Sequence, residues 1–330
     1  IFDPAIVSHV SKIADYAYYN RNKNKKKDVW DELYDTLKDS DNFIYSSRFD
    51  NVDDVYDHDF IILGAGKECR TMFLQQISNS SKVIGYDAQY KNNKERLPVW
   101  IICAQTADFE TVPGFVIVTE DSKTETLTAS LEALEQYLNQ IGVIWNSSVM
   151  IDKNEEQRDA LVSINKKFLL CEFHNAKTWE KEMSERRVPD THTGALIFRM
   201  KDVARATSIE DQIRKIKELK KVCEENKDEL WAFYLYFKKN WLCEKWINGW
   251  VDLDRPGDRE GVYNTDNASE TWFRSLLRTY LGGRTMISIT EVCYIIINSV
   301  FVMAEVKMKQ RAEDVGRRRI NPFAQRKRRL

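Results

Sequence analysis

Two aspartates stand where apolar runs end or turn polar. Asp87 lies in VIGYDAQY, and Asp152 directly follows Val149, Met150 and Ile151. Both runs have strand character, rich in Val, Ile and Tyr. Carboxylates brought together repel one another, and a divalent cation removes that penalty. Mg2+ takes carboxylate and water ligands, and a pair of such ions clamps both oxygens of an in-line phosphoryl displacement. A strand end or turn accounts for either aspartate alone. The pair, at these two positions, points to metal-dependent phosphoryl chemistry.

Other residues gather around that reading. Glu270, in YNTDNASETWFRSLL, is the candidate third acid. Asn267 or Ser269 caps a helix there, which puts Glu270 in its first turn. An ordinary first-turn Glu, favoured by the helix dipole, would look the same. Cys171 and His174 have the spacing of half a zinc site, and no second pair stands nearby, so zinc is not expected. Their expected role is support near the metal, with His174 bonding a phosphate or a water. A half-buried pair at a strand end is the alternative. Glu120, after FVIVT, is read as sheet-edge support or a metal-proximal group. GAGKEC at 64–69 is too short for a phosphate-binding Gly loop. None of the four histidines stands beside a Ser or Cys in a recognisable nucleophile motif.

The elements that must position these residues follow a pattern. Residues 1–80 read as mostly helical and polar, with one short strand at FIIL. Then KVIGYDAQY, VWIICAQT and FVIVTED read as three strands on short links, the third entered through Pro113 and Gly114. An amphipathic helix follows at 124–141, with Leu127, Leu131, Leu134 and Leu138 on one face. SSVMID, a helix near 155–164, the strand KFLLCEF and a helix from about Asn175 complete the series. A meander plus two strands joined through helices predicts an α/β fold, an RNase H-like mixed sheet flanked by helices. In such a sheet the strands of Asp87 and Asp152 are neighbours. Residues 81–190 form the first part of that core. An all-helical insertion at 191–262 precedes the third acid, which lies on core helices at 263–306. The insertion's aromatics, Trp231 to Trp250, read mainly as its own core, with base stacking as the alternative.

The composition is that of a globular chain: 330 residues, 43% hydrophobic and 31% charged. Six cysteines are scattered rather than framed as disulfides. No signal-peptide-like stretch stands near the start, and no uninterrupted apolar run is long enough to span a bilayer, so no membrane partner is expected. The net charge of −1 hides an asymmetry, since residues 307–330 carry ten Lys/Arg against Glu313 and Asp314. Arg317, Arg318 and Arg319, then Arg326, Lys327, Arg328 and Arg329, form two basic clusters. They suit a nuclear-import signal or DNA-phosphate contacts, and a solvated tail is the alternative.

The segments VIGYDAQYKNN, VMIDKNEEQRDAL, LLCEFHNAKTWEKEM and NTDNASETWFRSLL together resemble the Mutator-like (MULE) transposase domain of the DDE superfamily. The resemblance spans about residues 55–285. Cys171 and His174 stand where that family carries a Cys-x2-His signature after the second catalytic Asp. It implies that Asp87, Asp152 and Glu270 are the three catalytic acids and hold two Mg2+ (or Mn2+) ions. It also implies cleavage and joining of double-stranded DNA at transposon ends and targets, a nuclear location, and a homodimer or higher multimer. Gln89 departs from the family's usual Thr, and neither the C-x-C of a terminal zinc motif nor an N-terminal zinc module is visible. These departures keep a second expectation open: a domesticated, catalytically idle relic that binds DNA or regulates.

Overall fold

The computed structural model of the chain describes residues 28–50, 58–90, 93–106, 110–251, 253 and 267–313. The protein is α/β, with a mixed seven-stranded sheet flanked by helices. The strands are β1 (Phe43–Ser46), β2 (Phe60–Gly64), β3 (Val83–Gln89), β4 (Val99–Gln105), β5 (Thr111–Thr119), β6 (Ser148–Ile151) and β7 (Phe168–Leu170). Their order across the sheet is β1-β2-β5-β4-β3-β6-β7. The chain divides into two compact units. Among the described residues, those up to 79, 84–146 and 267–313 make the first, and 80–83 with 147–253 the second.

The first unit holds the antiparallel strands. β5 lies between β2 and β4 and is buried from Val112 onward. A strand with neighbours on both edges and apolar cover reads as a nearly continuous apolar run, and VPGFVIV is one. Pro113 and Gly114 do not lead into this strand, as the sequence suggests. They lie within it. Proline is tolerated because the β4–β5 register shifts between Ile102 and Cys103, opposite Pro113. Gly114 is required by close packing: a Cβ there would come within 2.5–2.6 Å of the Phe73 ring. Trp100 closes the β4–β5 pair from inside, its Nε1 donating to Thr119 Oγ1 at 2.9 Å.

Helices packed in this unit are α1 (Val29–Leu37), α2 (Lys67–Ile77), α3 (Thr124–Gln140), α10 (Asn267–Ser275), α11 (Ile289–Ile295) and α12 (Val302–Glu313). α3 buries Leu127, Leu131, Leu134 and Leu138, the expected face, against β2 and β5. α1 begins at Asp28, whose carboxylate accepts from Trp30 N at 2.9 Å. This stretch reads in sequence as helix with one strand; β1 is an addition, encoded in the short FIYS. The helical spacing at Ile6 to Ile13 lies outside the described residues.

GAGKEC forms the end of β2 and the start of α2. The N–H groups of Glu68 and Cys69 donate to the Glu305 carboxylate of α12 at 2.8 and 3.1 Å. The anion at this helix start is therefore the protein's own. α11 continues through a π-helical stretch, 296–301, into α12. The run Ile289–Arg311 is, by length and composition, apolar enough to cross a membrane, and half of its most apolar window is buried in the fold. Ser288 caps it, accepting from Glu291 N at 3.2 Å.

The second unit pairs β6 and β7 in parallel, Ile151 opposite Leu170, joined by α4 (Glu155–Ser163). A parallel pair needs such a crossover. Val83, Met150, Leu169 and Cys171 form one buried cluster. The helices that follow are α5 (Glu172–Glu185), α6 (Asp190–Ala204), α7 (Ile209–Glu225), α8 (Lys227–Asn240) and α9 (Glu244–Trp250). Among the insertion's aromatics, Phe233, Tyr234, Phe237, Trp241, Trp246 and Trp250 are buried. Trp179 of α5 meets Trp241 and Trp250 edge-on at ring separations of 5.2 and 5.7 Å. This is the core role expected of them.

Candidate metal and catalytic centre

In the second unit, Asp152 is the first residue after β6 and Cys171 the first after β7. Cys171 N donates to Ile151 O at 3.0 Å, so the parallel ladder runs one step past β7 and holds these two positions side by side. Cys171 is also the residue that starts α5. The sequence pattern places it inside the strand and begins the helix near Asn175; the helix instead begins at Glu172. His174 therefore lies in the first turn, where helical geometry turns its ring back over the strand ends. Its Nδ1 is 2.5 Å from Asp152 Oδ1. The Asp152 carboxylate, and after it the Cys171 side chain, push the His174 pKa up to about 11.

The donor atoms of Asp152, Cys171 and His174 all lie within 4.8 Å of one another. Cys171 is fully buried, and the other two are partly exposed. Lys153, the next residue, turns away from this group. Its ammonium sits over the Trp241 and Trp246 rings at 5.0 and 4.9 Å, and burial lowers its pKa.

Asp87 and Glu270 belong to the first unit. Asp87 is opposite Ile101 on β4, and its Oδ1 accepts from Ala88 N at 2.7 Å. Glu270 is in the first turn of α10, 3.9 Å from Arg274 one turn on. Hydrogen bonds fasten the start of this helix to the sheet. Ser269 Oγ is hydrogen-bonded to Cys103 Sγ at 3.3 Å, and Thr111 Oγ1 donates to Ala268 O at 3.1 Å. Cys103 is opposite Gly85, two residues before Asp87. Directly paired residues share a face, and so do residues two apart on a strand. The Asp87 side chain is therefore on the face of the sheet that carries α10. Ser269 packs against the sheet and is not the cap, and Asn267 opens the helix, exposed. The apolar face is Ala268, Trp272, Phe273 and Leu276; the π-helical turn at 276–280 carries Leu277 and Tyr280 partly out of it.

Glu120 follows β5, an interior strand of the sheet rather than an edge. Its Oε1 is 2.8 Å from His58 Nδ1, and its N–H donates to Asp59 O at 2.9 Å, so it ties the β2 entry to the β5 exit. Arg317, Arg318, Arg319, Arg326, Lys327, Arg328 and Arg329 lie outside the described residues.

By spacing alone, Cys171 and His174 are half of a site that wants a second Cys/His pair. The partner in the fold is Asp152, nineteen residues before Cys171. The signal is present in the sequence: two strands joined by one helix, the first followed by Asp and the second by Cys. No protein-family model matches the chain, and no curated protein matches it in sequence. The likeness to Mutator-like transposases rests on the quoted segments.

Proposed function

We propose that this chain is the catalytic domain of a DDE-type DNA transposase of the Mutator-like family, built on an RNase H-like sheet. The observation that carries the reading is the seating of α10, which sets Glu270 in the first turn of a helix on the Asp87 face.

The residues fit a hard cation. Asp87 and Glu270 offer oxygen ligands from partly exposed positions, and the Asp152 side chain is partly exposed too. These three would hold the ions. Bound Mg2+ supplies charge stabilisation to the attacking and leaving oxygens of a phosphoryl displacement. His174 fixes the Asp152 carboxylate from one side and adds positive charge near the phosphate. A water attacks the phosphodiester at an element end, the P–O bond to the neighbouring nucleotide breaks, and a 3′-hydroxyl is released. That hydroxyl attacks a phosphodiester of target DNA; one P–O bond forms as another breaks, so no covalent protein intermediate is needed. The partner is double-stranded DNA, the place of action the nucleus, and the working form a dimer or higher multimer.

The test is nicking of duplex DNA in Mg2+ or Mn2+ by the native chain and by Asp87→Ala, Asp152→Ala and Glu270→Ala. Each substitution is expected to lower the rate roughly 100-fold or more, with circular dichroism unchanged. DNA binding by folded native protein without nicking under either metal would replace this reading with the idle DNA-binding relic.

A further inference from the structure

Asp152, Cys171 and His174 present three kinds of donor: a carboxylate oxygen, a sulfur and an imidazole nitrogen. The sulfur and the facing donor atoms, Asp152 Oδ1 and His174 Nδ1, are enclosed, and the side chains that carry the last two are partly exposed. Three protein ligands leave one position of a tetrahedral ion to a water. Ligands at about 2.0–2.3 Å from a tetrahedral ion stand roughly 3.3–3.8 Å apart. The donors here fall within 4.8 Å. Rotation of the Asp152 and His174 side chains, neither of them fully enclosed, closes that difference. Sulfur and imidazole are poor donors for Mg2+ and good ones for Zn2+.

We propose that Asp152, Cys171 and His174 form a binding site for a thiophilic divalent cation of the Zn2+ class, with its fourth position open to water. Binding releases the Cys171 thiol proton and any proton on His174 Nδ1, leaving thiolate and neutral imidazole as ligands. The site takes up the carboxylate that the DNA-cleaving reading assigns to Mg2+, so the two occupancies exclude one another at Asp152. The trio stands on its own geometry, apart from that reading.

The test uses the whole chain, stripped with a chelator and titrated with Co2+ alone. One equivalent is expected to give a thiolate-to-cobalt charge-transfer band in the near ultraviolet, with the visible bands of a four-coordinate ion. Excess Mg2+ leaves both in place. Cys171→Ser abolishes the charge-transfer band. His174→Asn and Asp152→Asn keep the band and weaken binding about ten-fold or more. Absence of the band in folded native protein overturns the proposal. So does a band that survives Cys171→Ser, as it would if the sulfur came from Cys243, which is less buried. Should Cys171→Ser fail to fold by circular dichroism, His174→Asn decides, and unchanged cobalt affinity overturns the site. No DNA enters the measurement. A missing band leaves the nicking result standing, and missing nicking leaves the band standing.

Discussion

His174 shows how one neighbour sets both the charge and the reach of a residue. Its folded-state pKa lies well above the ordinary 6.5, at about 11, because its protonated ring faces the Asp152 carboxylate. A group whose pKa rises on folding stabilises fully below its unfolded value, and the contribution fades as pH climbs through the folded value. In chelator-treated protein, His174→Gln is therefore expected to cost about 1–2 kcal/mol at neutral pH, a charged hydrogen bond discounted for partial exposure. The deficit should shrink between pH 6.5 and about 11. Urea denaturation across that range reads it; a deficit that stays constant through pH 10 would show that the ring acts by packing and not by charge.

Cys103 and Ser269 act at the same scale but across the chain. Their hydrogen bond spans 166 positions of sequence. Nothing in the composition around either residue announces it. Cys103 reads as one more apolar strand position and Ser269 as a cap. The structure uses both to seat the helix of Glu270.

Among the elements, the meander β3-β4-β5, the helix of leucines and the parallel pair are all legible in the sequence. They consist of apolar runs of strand length or heptad-like spacing, separated by turn residues. Sequence pattern and fold part where local signals compete. Pro113–Gly114 has the composition of a turn, yet the shift in the β4–β5 register accommodates the proline, and the Phe73 ring occupies the space a side chain at Gly114 would need. Gly114→Ala is accordingly expected to lose about 1–3 kcal/mol through overpacking, measured as a fall in melting temperature. β7 is shorter than its apolar run, because CEF continues the apolar character while the ladder ends and the chain turns into α5. At α2, Glu305 satisfies leading N–H groups of the helix from another helix. Glu305→Ala should cost about 1–3 kcal/mol by urea titration, because it leaves those donors and their dipole without a partner. A cost near zero would mean that water replaces the carboxylate.

At the scale of the whole molecule, the first unit is assembled from both ends of the described chain. β1 to β5 come before the helical insertion, and α10 to α12 come after it. α10 covers β4 and β5, so deletion of residues 267–330 is expected to uncover that apolar face, with loss of the cooperative melt and binding of a hydrophobic dye. On the proposed reading the basic residues beyond 313 would contact DNA phosphates. Removing residues 314–330 should weaken duplex binding and flatten its salt dependence, by about 0.9 in the logarithmic slope for each phosphate that the tail neutralises. Fluorescence anisotropy at several salt concentrations measures both; an unchanged slope would assign the tail a role other than phosphate binding.

The sequence by itself determined the class of fold, the strand that carries Asp87, the strand that leads to Asp152, and the helical start that carries Glu270. These depend on periodicity and on residue types within one element, which a linear reading samples directly. Only the tertiary structure decided that Asp152 joins Cys171 and His174, and that α10 is fastened on the face of Asp87. Both are pairings across elements. The first is set by the parallel register of β6 and β7, the second by the packing of α10 on β4 and β5 with the hydrogen bonds Ser269–Cys103 and Thr111–Ala268. Register and face are fixed by how whole elements bury their apolar sides together, and that choice is made by the folded chain rather than by any one segment.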